Sequence, residues 1–286
     1  MPEKVVVTGS TGKVGSQLVD QLAASGAAVV AAVQPTSKVD AIKRAGATPV
    51  VVNFESAESI IAAFEGVDRL FLLTPLIPDQ IGWSARVVDA AKAASVKHIV
   101  KLSVMGADWP QPTLFGKEHA EMERYIRQSG VPYTFLHPTF FMQNLLGEAT
   151  IKTQGAFYGC AGDGKASYID TRDIAAVATA ALTKNGHEGK TYELTGPELL
   201  SNGDLATTLS SATGREIRYV NLSDEGVRDG MTSAGVPTWL IQPLIDLAVN
   251  QREGRFATIS GAVDEITGRK PLTFEQFVRE HIEAFK

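Results

Sequence analysis

Gly9-Ser10-Thr11-Gly12-Lys13-Val14-Gly15, near the amino end, constrains the fold of this chain more than any other stretch. It spells G-x-x-G-x-x-G directly after the apolar run Val5–Val7. It also opens a segment in which Val14, Leu18, Val19 and Leu22 recur at helical spacing. A strand, a glycine turn and a helix in that order are the context that makes the spacing informative. Gly9 permits a tight turn, Gly12 lets main chain approach a diphosphate, and Gly15 lets the helix pack closely on the strand. The free N–H groups that open the helix, reinforced by its dipole, would hold the negative charge. Gly9, Thr11, Gly12, Lys13 and Val14 are therefore candidate cofactor contacts.

The alternation continues. Ala28–Val33, Pro49–Val52, Arg69–Leu73, His98–Leu102 and Tyr133–Leu136 read as strands. Lys38–Ala45, Ala57–Phe64, Trp83–Ala94 and Lys117–Gln128 read as helices between them. Strands that are apolar nearly throughout indicate a parallel sheet covered on both faces. The fold class expected is α/β, a doubly wound parallel (Rossmann) sheet with a smaller C-terminal α+β substrate portion. After Pro138 the regularity weakens. Strands at Thr191–Leu194 and Ile217–Val220 lie far apart among helical patterns at Asp204–Ala212, Asp224–Ala234, Pro237–Gln251 and Phe274–Phe285. This predicts an NADP(H)-binding Rossmann domain over 1–138, with a helix at 172–183 returning to it, and a substrate-binding portion over 139–286.

Composition narrows the partners. With 27 basic against 32 acidic residues the net charge is -5, and no basic block is present, so a nucleic-acid partner is not expected. The single Cys160 forms no internal disulfide, and no Cys/His cluster has metal-ligand spacing, so no metal is expected. No apolar run approaches the roughly 20 residues that span a bilayer, and MPEKVVVTGS does not read as a signal peptide. A soluble cytoplasmic protein is expected, with homo-oligomer formation open. Gln34 stands where an acidic residue would bind a ribose 2′-hydroxyl. Lys38, with Thr36, Ser37 and Lys13, could instead meet a 2′-phosphate, so NADP(H) is favoured and NAD(H) stays open.

At this point the chain resembles a known group. The turn, the Leu-Leu-Thr-Pro run at 72–75, Val-Pro-Tyr-Thr-Phe-Leu-His-Pro-Thr-Phe-Phe-Met-Gln-Asn at 131–144 and Tyr-Ile-Asp-Thr-Arg-Asp-Ile-Ala-Ala-Val at 168–177 look like the NmrA-like branch of atypical short-chain dehydrogenases/reductases. Type 2 quinone oxidoreductases and triphenylmethane reductase share this plan, and Leu-Thr-Gly-Pro-Glu-Leu-Leu at 194–200 is similar to festuclavine-type ergot alkaloid dehydrogenases. The resemblance implies an NADP(H) cofactor and a small apolar or aromatic substrate held between two domains. It implies that Thr74 and Pro75 offer backbone to ribose and nicotinamide, that Ser103 orients substrate or nicotinamide, and that Pro138–Phe141 closes over the nicotinamide face.

The usual Tyr-x-x-x-Lys pair is absent, since none of the six tyrosines has a lysine four residues on. His119 falls where isoflavone-reductase-like relatives carry a catalytic lysine, and imidazole is a reasonable proton donor near neutrality. Glu123 should share its helix face, whereas Lys117, two residues earlier, points elsewhere. His119, Ser103 and Lys117 are the candidate catalytic residues. His137 replaces an arginine common among relatives, so an ion-pair role there is not expected. His98, His187 and His281 read as structural or exposed, and Met231, Trp239, Leu240 and Ile245 are candidates to line an apolar pocket. The function expected is an NAD(P)H-dependent reductase that passes hydride to a conjugated or aromatic acceptor, whether a quinone, an imine or iminium, or an activated C=C. The alternative is an NADP(H)-sensing regulatory protein without turnover.

Overall fold

The computed structural model describes residues 3–34 and 46–286; Lys38 and the helix expected over Lys38–Ala45 lie outside them. The chain forms two compact units. One comprises Met1–Pro138 and Thr171–Glu193, the other Thr139–Asp170 and Leu194–Lys286.

The strands in chain order are β1 (Lys4–Val7), β2 (Ala28–Val33), β3 (Thr48–Val51), β4 (Arg69–Leu72), β5 (His98–Leu102), β6 (Tyr133–Pro138), β7 (Ala156–Gly159), β8 (Lys190–Leu194) and β9 (Arg218–Asn221). In the first unit they form a seven-stranded sheet of order β3-β2-β1-β4-β5-β6-β8, and each neighbour pair from β3 to β6 runs parallel. β8 enters where the Gly189 N–H donates to the Tyr133 carbonyl at 2.7 Å, so the strand expected in the C-terminal portion is instead an edge of this sheet. Its residues explain the difference. Lys190, Thr191 and Glu193 are exposed, and such a strand lacks the continuous apolar signature of the inner ones.

The helices of this unit are α1 (Lys13–Ala24), α2 (Ala57–Ala63), α3 (Gln80–Ala93) and α4 (Leu114–Ser129), followed after a short α5 (Ala149–Gln154) of the second unit by α6 (Thr171–Thr183). α4 begins three residues earlier than its apolar pattern suggests, because the Thr113 hydroxyl accepts the Gly116 N–H and caps it. It stops at Gly130, whose φ of 79° is left-handed. α1 packs on α6, and α3 packs on α2 and α4. Val6, Leu70, Ile99 and Phe135 from four strands meet Phe64, Trp83, Val87 and Ile126 in one core cluster. Helices on both sides of a parallel sheet account for strands that are apolar throughout.

The second unit holds a small parallel sheet of β7 and β9, with α5, α7 (Asn202–Thr213), α8 (Asp224–Ser233), α9 (Thr238–Arg252), α10 (Ala262–Thr267), α11 (Phe274–Glu280) and α12 (Ile282–Phe285). Ser201 and Asp204 form a reciprocal capping box that starts α7. The helix expected unbroken from Phe274 to Phe285 divides at His281, whose backbone leaves helical values at φ -113°. Ile245 lies in a core with Cys160, Val227 and Ile241, Met231 packs against it, and Trp239 is exposed. No helix among the described residues is long and apolar enough to cross a membrane.

The amino-terminal end of the first sheet is held by a buried charge. Arg69 donates to the Ala181 and Lys184 carbonyls at 3.3 and 3.2 Å, closing the last turn of α6, and to Glu3 at 2.8 Å. His98, read from sequence as structural or exposed, is buried beside it, with Nε2 2.9 Å from the Thr134 hydroxyl. Burial and the Arg69 charge push its pKa down to about 4. An unfolded chain takes up this proton near the ordinary imidazole value of about 6.5, and the folded chain does so only near the lowered one. The stabilisation is therefore complete above the unfolded value and is lost as pH falls toward the folded one, by an amount on the order of 3 kcal/mol. Urea unfolding of the wild type should lose about 2 kcal/mol more than His98→Gln between about pH 7.5 and about pH 5; equal losses would remove His98 from the account.

Candidate active site

The strand order reverses between β1 and β4, the switch point at which open α/β sheets present loop ends to a ligand. Thr8 binds the two strands together there. Its hydroxyl accepts the Leu73 N–H at 2.8 Å and donates toward the Leu73 carbonyl at 3.0 Å. Gly9 follows with φ 64°, and a Cβ on it would lie 2.7 Å from Leu73 Cδ2. A Cβ on Gly15 would lie 2.1 Å from the Gly9 carbonyl oxygen, so only hydrogen fits where the helix crosses the turn. Gly12 is the N-cap of α1, with no side-chain cap and no acidic residue in the first turn. The positive end of the helix thus carries no anion of its own, and Thr11, Gly12 and Lys13 around it are exposed. This shape and charge fit a diphosphate.

Other candidate cofactor contacts lie as follows. Gln34, just past β2, is exposed. Thr74 is half-buried and its hydroxyl pairs with that of Ser84 at 2.8 Å, while the Pro75 carbonyl accepts the Ile77 N–H. Pro138 is buried, and its carbonyl accepts the Met105 N–H at 3.0 Å. In the second unit Phe141 is half-buried and bridges to Ile169, and its neighbour Phe140 meets the rings of Tyr168 and Phe256.

Ser103, just beyond β5, belongs to a buried polar group that no single stretch of sequence reveals. Its hydroxyl donates to Glu123 Oε1 at 2.5 Å, and His137 Nε2 lies 2.7 Å from the same oxygen. Arg127, one turn along α4, donates to the other oxygen at 3.2 Å. Burial pushes the Glu123 carboxyl up, but His137, Ser103 and Arg127 together hold it below its ordinary value, so it is a carboxylate. His137 does pair with an acid, contrary to the sequence expectation. It substitutes for the expected arginine because Glu123 comes to it from another element. The serine donates to a carboxylate rather than to imidazole, so the trio is not a nucleophilic triad.

His119 sits on the same helix, half-buried, with Nδ1 3.4 Å from Lys101 Nζ. Lys101 is fully buried within β5 and also donates to the Leu102 carbonyl at 3.0 Å. Lysine is almost never fully buried, and sequence analysis passed over this one although it interrupts the apolar run His98-Ile99-Val100-Lys101-Leu102. Burial lowers its pKa to about 7, against the opposing pull of Glu123. Burial, Lys101 and His137 hold His119 well below the ordinary imidazole value. Lys117 stands exposed at the start of α4, outside this buried group. Tyr168 is buried, donating to Asn202 and accepting from Gln251, and burial raises its pKa, so it is no ready proton donor.

The model of the NmrA-like family matches residues 1–277. The chain belongs to the NmrA-like family. An NAD(P)H azoreductase from Xenophilus azovorans is 38% identical to it over 282 residues, covering 98% of this chain and 99% of that one. The solved structure of an NADPH-dependent quinone oxidoreductase from Escherichia coli, complexed with NADPH, superposes with a TM-score of 0.89 at 29% identity, covering 97% of this chain and 99% of that one. The Citrobacter sp. triphenylmethane reductase complexed with NADP(H) does so with a TM-score of 0.85 at 26% identity, covering 96% and 99%. Relatives that match this NmrA-like protein over 97% or more of its length thus include NAD(P)H-dependent oxidoreductases.

Proposed function

We propose that this chain is a reductase that binds NADPH in preference to NADH and reduces a conjugated or aromatic acceptor, a quinone, azo, imine or iminium compound or an activated C=C. One observation carries the reading. The switch point of the first sheet ends in a glycine turn whose helix has no side-chain cap and no acid in its first turn, in a chain similar over its length to NAD(P)H-dependent reductases. When bound, the nicotinamide supplies the hydride, and the protein supplies geometry and charge.

In this reading Gly9, Thr11, Gly12, Lys13 and Val14 hold the diphosphate. Gln34 brings no negative charge to repel a 2′-phosphate, and Lys38 is the candidate cation for it. Thr74, Pro75 and Pro138 frame the nicotinamide, and Ser103, locked onto Glu123, orients it. His119 gives a proton to the acceptor as charge develops there, while Lys117 remains a surface cation. Tyrosine has no part in the chemistry. An acceptor that is already cationic needs no proton at the moment of hydride transfer, which suits a site without the Tyr-x-x-x-Lys pair.

Loss of NADPH absorbance should be seen with at least one of a quinone, an azo dye, a triphenylmethane dye and a cyclic iminium. A chain that binds NADPH and oxidises it with none of them would defeat the reading. His119→Ala should cut quinone turnover about 10²-fold while leaving the NADPH Kd within about twofold. Unchanged turnover would remove His119 from the mechanism.

A further inference from the structure

The lysine buried in β5 has no place in the function described so far. We propose that Lys101 is a positioning residue that holds His119 as its Nε2–H tautomer and replaces the proton that His119 gives to the acceptor. The inference rests on the reading of His119 as the proton donor and adds the source of that proton.

The geometry makes the argument. An ammonium group has three donors and no acceptor. Lys101 Nζ spends one on the Leu102 carbonyl at 3.0 Å and faces His119 Nδ1 at 3.4 Å. Nδ1 must then present its lone pair, which puts the ring hydrogen on Nε2, the nitrogen left for a ligand. The groups around the pair come from each packed element. Glu123 approaches from α4, His137 from β6, and the β4 neighbour of Lys101 is the apolar Leu72. Glu123 pulls the lysine's pKa up against its burial, and burial, Lys101 and His137 hold His119 well below the ordinary imidazole value, so His119 is neutral. A neutral imidazole has one proton to give and must regain one on its other nitrogen. Among the described residues Lys101 is the one placed to supply it.

The step balances as follows for a quinone. Hydride, carrying both electrons, passes from reduced nicotinamide to the quinone. The oxygen that gains the charge takes the proton from His119 Nε2, and His119 Nδ1 takes one from the Lys101 ammonium. The imidazole is left neutral and the lysine a neutral amine. Hydride and this one proton complete the hydroquinone; water later returns a proton to His119 Nε2, and Nδ1 gives its proton back to Lys101, which resets the pair.

Two measurements on the full chain test this. In protein labelled with ¹⁵N-histidine and free of cofactor, with His119→Gln assigning the signals, long-range ¹H–¹⁵N spectra at about pH 6, below the lysine midpoint, should show His119 neutral with hydrogen on Nε2. Imidazolium at that pH, or the Nδ1–H tautomer, would overturn the proposal even if no Lys101 variant folds. Kinetically, quinone turnover should fall with rising pH through the lysine midpoint of about 7. Lys101→Met should lose at least about tenfold in quinone kcat, show no such limb and release His119 toward a mixture of tautomers. Loss of turnover in His119→Gln, with Lys101→Met keeping wild-type kcat, limb and tautomer, would refute the relay alone. Unchanged turnover in His119→Gln would refute the donor reading beneath it.

Discussion

Gly12→Val should abolish NADPH binding while the protein stays folded. The backbone at Gly12 lies at φ -83° and ψ 178°, which valine adopts without strain. A Cβ there meets only the Gly9 carbonyl oxygen at 3.3 Å, a contact relieved by a small local shift. The methyl groups would instead occupy the space before the helix amides, where a diphosphate must approach to about 3 Å. Loss of that approach should raise the Kd on the order of 10³-fold, about 4 kcal/mol, with urea stability changed by no more than about 1 kcal/mol. Gly15→Ala is the contrasting case. Its Cβ would sit 2.1 Å from the Gly9 oxygen, so it should disrupt the turn itself and lower both stability and affinity. Fluorescence titration with NADPH and urea unfolding separate the two effects. Retained affinity in a folded Gly12→Val protein would place the cofactor elsewhere.

Glu123→Ala should cost the most stability of any substitution in the polar group, about 3 to 5 kcal/mol, because it strands the partners of a buried charge. Ser103 and His137 both turn to its Oε1, and the Nδ1 of His137 already has no hydrogen-bond partner. Glu123→Gln keeps one carbonyl oxygen and should lose less, about 1 to 2 kcal/mol. The pH dependence has a definite sign. A carboxyl held below its ordinary value in the folded state stabilises above its unfolded pKa and loses that contribution as pH falls through the folded one. The wild type should therefore be more sensitive to acid than Glu123→Gln in urea unfolding followed from neutral pH downward. A loss under about 1 kcal/mol in Glu123→Ala would mean that the buried pair is not the organising contact it is argued to be.

The two halves of the site differ in how far the sequence revealed them. The glycine turn was readable because its chemistry is local. Strand, turn and helix follow one another within a few residues, and Gly9 and Gly15 each answer a steric need at their own positions. The polar group was not, since residues 103, 123 and 137 meet only when a strand end, a helix face and the next strand are packed together. The helical spacing did place Glu123 on the face of His119, but their partners differ, Ser103 and His137 for one and Lys101 for the other. Lys101 carried a legible signal, a lysine within an otherwise apolar inner strand, and only its burial shows what that signal meant. Among the strands, β8 was misassigned for the opposite reason. At a sheet edge the alternating, mostly exposed Lys190–Leu194 carries no mark of which sheet it will join.

The central claim is that the amides opening Lys13–Ala24 hold the cofactor's diphosphate. A crystal structure of the chain with NADPH tests it most directly. The account predicts phosphate oxygens within hydrogen-bond distance, about 3 Å, of main-chain nitrogens in the Thr11–Val14 stretch. A diphosphate bound away from that turn, or no cofactor at saturating NADPH, would contradict it.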